Sequence, residues 1–212
     1  MQDLQAFAAT LRVGGAMIYP LMVLAIVAAV VTLEKGFVCV TRTHLPASLL
    51  AVAETYGFDW EDLQREVEAL GSRNYFGQFF RIVIENRKRP VWWVESRAAE
   101  EASLVEKSLG RWLWILETTV TAAPLLGLLG TITGMVRAFK LFGAEGLVDP
   151  HGVTGGVAEA LIATAVGLFI ALVALFAYNY FSYRVAQVMD EMEQLGTRII
   201  DHIRLNGSES EP

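Results

Sequence analysis

Cysteine is nearly absent from this chain. One thiol, Cys39, among 212 residues excludes an intramolecular disulfide and any multi-cysteine zinc site. Histidine is scarce as well: His44, His151 and His202 are too scattered to form a ligand set, so no metal is expected. Charge is thin, with 19% Asp, Glu, Lys and Arg against about 25% in a soluble domain. The balance is acidic, with a net charge of −6, which argues against nucleic acid as the main partner. No GxxxxGK[ST], HExxH, GxSxG or paired-carboxylate motif occurs, so the chain does not read as an enzyme.

What the chain has in excess is apolar residues, 54% of the total. They gather in three blocks, which excludes an ordinary soluble fold and a disordered one. Block one, Ala16–Leu33, is 18 residues without a charge. As a helix it reaches about 27 Å, close to the roughly 30 Å hydrocarbon core. It is longer than a signal-peptide core and follows a tail holding both Asp3 and Arg12, so it reads as a retained span. Block two, Thr118–Val136, is apolar but rich in Gly and Thr and contains Pro124. Block three, Ala160–Tyr178, departs from apolar only at Thr164 and Gly167.

Lys and Arg set the orientation. Eleven of the 17 lie in 34–111, three follow block three, one precedes block one, and two (Arg137, Lys140) open the connector between blocks two and three. The 34–111 segment and the C-terminus are therefore expected inside, and the N-terminus and the connector outside. Arg137 and Lys140 read as headgroup anchors. The 34–111 segment has a helical pattern punctuated by Pro46, Gly57, Gly71 and Pro90, with no alternating strand-like run. From Ser96 the charge thins into Trp112, Trp114 and block two, which predicts one long helix starting in the cytoplasm. Beyond block three, Val185, Val188, Met189, Met192, Leu195, Ile199 and Ile203 form a single apolar helical stripe. It is expected to pack on the cytoplasmic part of that long helix or on a neighbouring subunit. The last residues, Asn206–Pro212, read as a frayed polar tail.

Within block two, Glu117, Pro124 and Thr131 recur every seven residues and share a helix face. Gly127, Gly130 and Gly134 lie on or near it. Taken alone, such glycines are packing residues that let membrane helices approach closely. Glu159, at the head of block three, fits two roles on spacing alone. It is either an interior-facing carboxylate or a cap on the start of its helix at the outer interface. No span carries enough ionisable residues for a self-sufficient proton wire.

The two stretches together identify a family. Ala123-Pro124-Leu-Leu-Gly127-Leu-Leu-Gly130-Thr131-Ile-Thr-Gly134-Met135-Val-Arg-Ala-Phe139 resembles the second-span signature of the MotA/TolQ/ExbB proton-channel family. Gly155-Gly156-Val-Ala-Glu159-Ala-Leu-Ile-Ala-Thr164-Ala-Val-Gly167-Leu, closed by Tyr178-Asn179, resembles the third-span signature. The resemblance implies an all-α membrane protein with three transmembrane helices, two of them extended far into the cytoplasm, and a helical cytoplasmic domain. The implied layout is a periplasmic tail (1–15), spans at 16–34, 112–139 and 155–180, a cytoplasmic domain (35–111), a periplasmic connector (140–154) and a cytoplasmic C-terminal helix and tail (181–212). It implies a pentamer in the Gram-negative inner membrane around a small single-span ExbD- or TolR-type subunit carrying an intramembrane Asp. A TonB- or TolA-type protein would transmit the force. No cofactor is implied; protons are the coupling ion. Carried over residue by residue, Thr131 and Thr164 match the family's pore threonines and Glu159 its third-span glutamate, while Pro124, Gly127, Gly130, Gly134 and Gly167 shape and pack the pore. Three spans rather than four disfavour the flagellar stator branch. Between ExbB-type and TolQ-type function the residues do not decide, and the reading leans to ExbB; a non-conducting scaffold is the competing class. Glu117 and Thr133 match no family position.

Overall fold

The computed structural model describes residues 15–54, 58–140 and 150–208. Among them every regular element is a helix: α1 (Ile18–Arg42), α2 (Ala47–Glu54), α3 (Trp60–Ala69), α4 (Tyr75–Asn86), α5 (Val91–Gly110), α6 (Leu113–Lys140) and α7 (Pro150–Ser208). Three stretches are long and apolar enough to cross a membrane: Ile18–Arg42, Val91–Lys140 and Gly152–Leu205. The chain divides into two compact units. One joins the residues up to Leu33 with Trp112–Tyr180, and the other joins Glu34–Arg111 with the residues from Phe181 on. Both α1 and α7 contribute to each.

The first unit packs α1, α6 and α7 through small side chains. Leu21 of α1 meets Ala123 of α6 and Ile170 and Ala171 of α7 in its core. Large apolar residues point outward instead, among them Val23, Ile26, Leu125, Ile132, Leu168 and Phe169. Such a surface needs an apolar surrounding. Several threonines here satisfy their hydroxyls within their own helices. Thr32 donates to Ala28 O at 2.8 Å, Thr118 to Trp114 O at 2.7 Å and Thr119 to Ile115 O at 2.7 Å. Helix α6 continues through Pro124, whose missing N–H leaves the Val120 carbonyl without its usual helical donor.

The second unit is built the other way round. Leu63 and Val67 (α3), Phe76, Phe80 and Val83 (α4), and Val94, Val105 and Leu109 (α5) bury large side chains against one another. The apolar stripe of α7 closes this core with Val188, Met192, Leu195, Ile199 and Ile203. Side-chain caps fix the helix starts. Asp59 accepts from Glu61 N at 3.1 Å. Asn74 accepts from Phe76 N at 2.9 Å and ties its amide to His44 O at 2.7 Å. Gly71, at φ +76°, turns the chain between α3 and α4 in the left-handed region that favours glycine.

The helical reading of 34–111 holds, with breaks at Pro46, Gly71 and Pro90; Gly57 lies outside the described residues. The long helix expected to run from Ser96 into block two is two helices. It stops at Gly110 and restarts at Leu113, because Arg111 is extended (ψ 134°) and Trp112 adopts φ +70°. A bulky residue there is strained by about 1–3 kcal/mol. The end of α5 is held by a remote group: buried Lys35 donates to Leu109 O at 3.0 Å, capping one of the carbonyls the helix leaves unpaired. Helix α7 begins at Pro150, five residues ahead of the expected span, and runs unbroken to Ser208. The N-terminal tail up to residue 14, residues 141–149 of the connector and residues 209–212 lie outside the described residues.

Candidate functional site at the α6–α7 crossing

Helices α6 and α7 touch backbone to backbone over about three turns, and glycine makes that possible. A Cβ on Gly167 would sit 2.5 Å from Ala123 O and 3.1 Å from Gly127 Cα. One on Gly127 would lie 3.0 Å from Ala163 O and from Thr164 Cα. At Gly130 it would overlap the Ala163 Cβ, and at Gly134 it would lie 2.8 Å from Gly156 O. In each case at least one neighbour is backbone or a Cβ, which cannot swing aside. Pro124 lies half-buried beside this seam, between Ala123 and Gly127, rather than in its centre.

The close approach brings a polar group across. Thr164 Oγ1 of α7 donates to Gly127 O of α6 at 3.1 Å. In an α-helix that same carbonyl accepts the backbone N–H four residues on, which here belongs to Thr131. One carbonyl oxygen therefore links both threonines. The Thr131 hydroxyl turns back to Leu128 O at 2.6 Å, and Thr133 to Gly130 O at 3.0 Å. Both Thr131 and Thr164 are half-buried, each with its one donor engaged and its lone pairs able to accept. Among the described residues no hydrogen bond joins Thr131 directly to Thr164 or to Glu159.

Glu159 stands at the end of the crossing. Its position, nine residues into α7, removes the capping role: the first turn lies at Pro150. Instead, Oε1 accepts from Arg137 Nη1 of α6 at 2.6 Å. The carboxylate also presses on Gly15, just ahead of α1, where any Cβ would overlap Oε1. The Glu159 side chain is 17% exposed and that of Arg137 50%. Two helix ends favour this pair: the N-terminus of α1 beside the anion, and the last turn of α6 beneath the cation. Lys140, the other connector cation, is exposed.

Sequence reasoning missed the Arg137–Glu159 pair and the role of Gly15. The signal available was weak, a cation closing one apolar block and an anion opening the next. Glu117 is exposed on α6 and takes no part. Among the described residues no group of His, Cys, Asp and Glu could hold a metal ion.

Comparison with known proteins finds a family match that covers this stretch of the chain. The model of the MotA/TolQ/ExbB proton channel family matches residues 72–194, which include the whole α6–α7 crossing. A biopolymer transport protein ExbB of Xanthomonas campestris is 48% identical over 68 residues, 32% of this chain; the match spans only 27% of that protein. The putative biopolymer transport protein ExbB-like 1 of Synechocystis is 29% identical over 199 residues, covering 88% of this chain and 74% of the relative. The Tol-Pal system protein TolQ of Haemophilus influenzae is 31% identical over 166 residues, 70% of this chain and 73% of its own length. These are transport-associated proteins, and none of the names describes an enzyme. With the family model matching more than half of its length, and a TolQ aligned over most of both chains, this protein belongs to the MotA/TolQ/ExbB proton channel family.

Proposed function

We propose that this chain is the proton-channel and stator subunit of a proton-motive-force-driven motor in the Gram-negative inner membrane, of the ExbB type that energises TonB-dependent outer-membrane transport. The observation that carries the reading is the shared Gly127 carbonyl, which ties Thr164 to Thr131 inside an otherwise apolar crossing. In this reading Thr131, Thr164 and Glu159 line the proton pathway. Pro124, Gly127, Gly130, Gly134 and Gly167 set its shape.

Chemistry supports the assignment. A protonated carboxylic acid can pass an apolar wall, whereas an ionised one needs polar partners. Thr131 and Thr164 accept from the acid without giving up their own bonds. To donate to the carboxylate, each must first release a backbone carbonyl. The two protonation states of a passing Asp would thus meet different surroundings. That Asp belongs to a small single-span partner of ExbD or TolR type, enclosed by a pentamer of this chain, with a TonB- or TolA-type protein transmitting the force. One proton crossing 100 mV supplies about 2.3 kcal/mol, so useful work requires coupled steps. The Lys and Arg counts support an orientation with the N-terminus in the periplasm and the C-terminus in the cytoplasm. Protons are the coupling ion, and no cofactor enters.

TolQ-type function is the second reading, supported by the Haemophilus match at 31% identity over 166 residues. Purification from gently solubilised membranes separates the two. A single-span protein with an Asp in its span is expected in both cases, with a TonB-like third partner for one pathway and a TolA-like one for the other. The proton pathway itself is tested in vesicles containing the purified complex. Thr164→Val and Thr131→Val should stop proton flux while the oligomer still forms. A scaffold would tolerate both changes and move no protons.

A further inference from the structure

The ion pair at the end of the crossing carries an inference of its own, which rests on the proton-channel reading and deepens it. We propose that Arg137 is the positioning residue of Glu159: it fixes the carboxylate where the start of α1 and the last turn of α6 meet α7, and the proton pathway depends on that placement.

Three observations converge. The first is the bond, Arg137 Nη1 to Oε1 at 2.6 Å, short and charge-assisted. The second is asymmetry of exposure. Glu159 is mostly withdrawn from solvent, and an unpaired carboxylate there would be costly. Arg137 is half exposed, so the cation is the member free to leave or return. A guanidinium stays charged throughout, which makes it a constant partner for the carboxylate. The third is Gly15. It sits at φ +69°, its carbonyl accepts from Ile18 N at 3.2 Å to begin α1, and its bare Cα is what the Glu159 carboxylate packs on. One oxygen, Oε1, both accepts from Arg137 and lies against the bare Cα of Gly15, so two elements bear on the same end of the carboxylate.

The test uses the full chain purified with its co-assembling subunits, reconstituted in liposomes with a pH-sensitive dye inside and an imposed potassium diffusion potential. Arg137→Gln should lower proton flux by about tenfold or more, the scale that misplacing a reacting group produces. Arg137→Lys, which keeps the charge, should recover most of the flux. Gly15→Ala should mimic Arg137→Gln by displacing the carboxylate. Oligomer size and melting temperature, followed in parallel, should stay near wild type in Arg137→Gln. Wild-type flux in Arg137→Gln, alongside a dead Glu159→Gln, would overturn the positioning role and leave the channel reading intact. Collapse of the oligomer in both Arg137 variants would overturn it in favour of a structural pair. Absence of flux from the wild-type complex would overturn the channel reading on which the inference rests.

Discussion

The two units of this chain solve helix packing in opposite ways. In the second unit the buried side chains are large: Phe76, Phe80, Leu63, Met192 and Ile199 fill the space between helices. In the first many are small: Ala123, Ala138, Ala160, Ala163 and Ala174, with glycines between, bring backbones together, and although Leu21, Leu116 and Ile170 are buried, most of the large apolar residues face out. Water explains the first arrangement, since burying apolar area is what holds such a core together. In lipid that gain disappears, and what remains is close van der Waals contact and hydrogen bonds between helices. One polymer thus carries two packing rules. The small-residue rule is also the one that lets Thr164 reach a backbone carbonyl on the next helix.

Enlarging a residue is accordingly the sharpest way to break the first unit. Gly167→Val places its Cβ against Ala123 O and Gly127 Cα, both backbone, so α6 and α7 must part. No monodisperse folded protein should be recovered by size-exclusion chromatography in detergent. Gly155→Val on the same helix is the control: a Cβ there meets nothing within 4 Å, and folded protein should be recovered. If both variants fold, the backbone crossing is not what holds the first unit.

The second unit should instead be most sensitive to removal of bulk. Phe80→Ala empties a fully buried ring site and is expected to cost about 3–5 kcal/mol, read as a lower melting temperature. Enlarging a glycine is milder here. A Cβ on Gly196 would lie 2.8 Å from the Phe79 Cζ, the far end of a side chain that can shift. Gly196→Ala should therefore melt closer to wild type than Phe80→Ala does. The reverse order would mean that both units pack by one rule.

Next in size is the cap on α5. Lys35→Met keeps the apolar stem but leaves Leu109 O without its donor, a loss of about 1–3 kcal/mol. Hydrogen exchange of the last turn of α5 should speed up, while the α6–α7 seam stays protected. This cap also marks a limit of sequence reading. The three apolar blocks, the helical domain and its Pro and Gly breaks were legible because each is a local signal: hydropathy, periodicity or a residue with restricted backbone. The stop at Arg111–Trp112 has no such mark. Trp112 takes a glycine-like φ, and the cap reaches Leu109 from 74 residues away. Arg137 and Glu159 pair for the same kind of reason, across a connector whose course no periodicity encodes. Thr131 and Thr164 stood out by resemblance, but that they meet at the Gly127 carbonyl required the fold.

The smallest stability effect should accompany one of the largest functional ones, at Thr164. Replacing it with Val keeps the shape of the side chain and removes one hydrogen bond to a carbonyl that retains its helical donor. The expected loss is only about 0.5–1.5 kcal/mol. Thr164→Ser keeps the hydroxyl and should behave as wild type in both flux and melting. If Thr164 only fastened helices, Val and Ser would differ by that small margin in melting and not at all in flux. If the hydroxyl serves a passing carboxylic acid, melting barely changes while proton flux in Thr164→Val falls to background. The second unit contains no counterpart to this separation: its large buried side chains serve packing, so their function should fall only as far as their stability does. A Thr164→Val protein that melts normally and still conducts would place the proton path elsewhere than the α6–α7 seam.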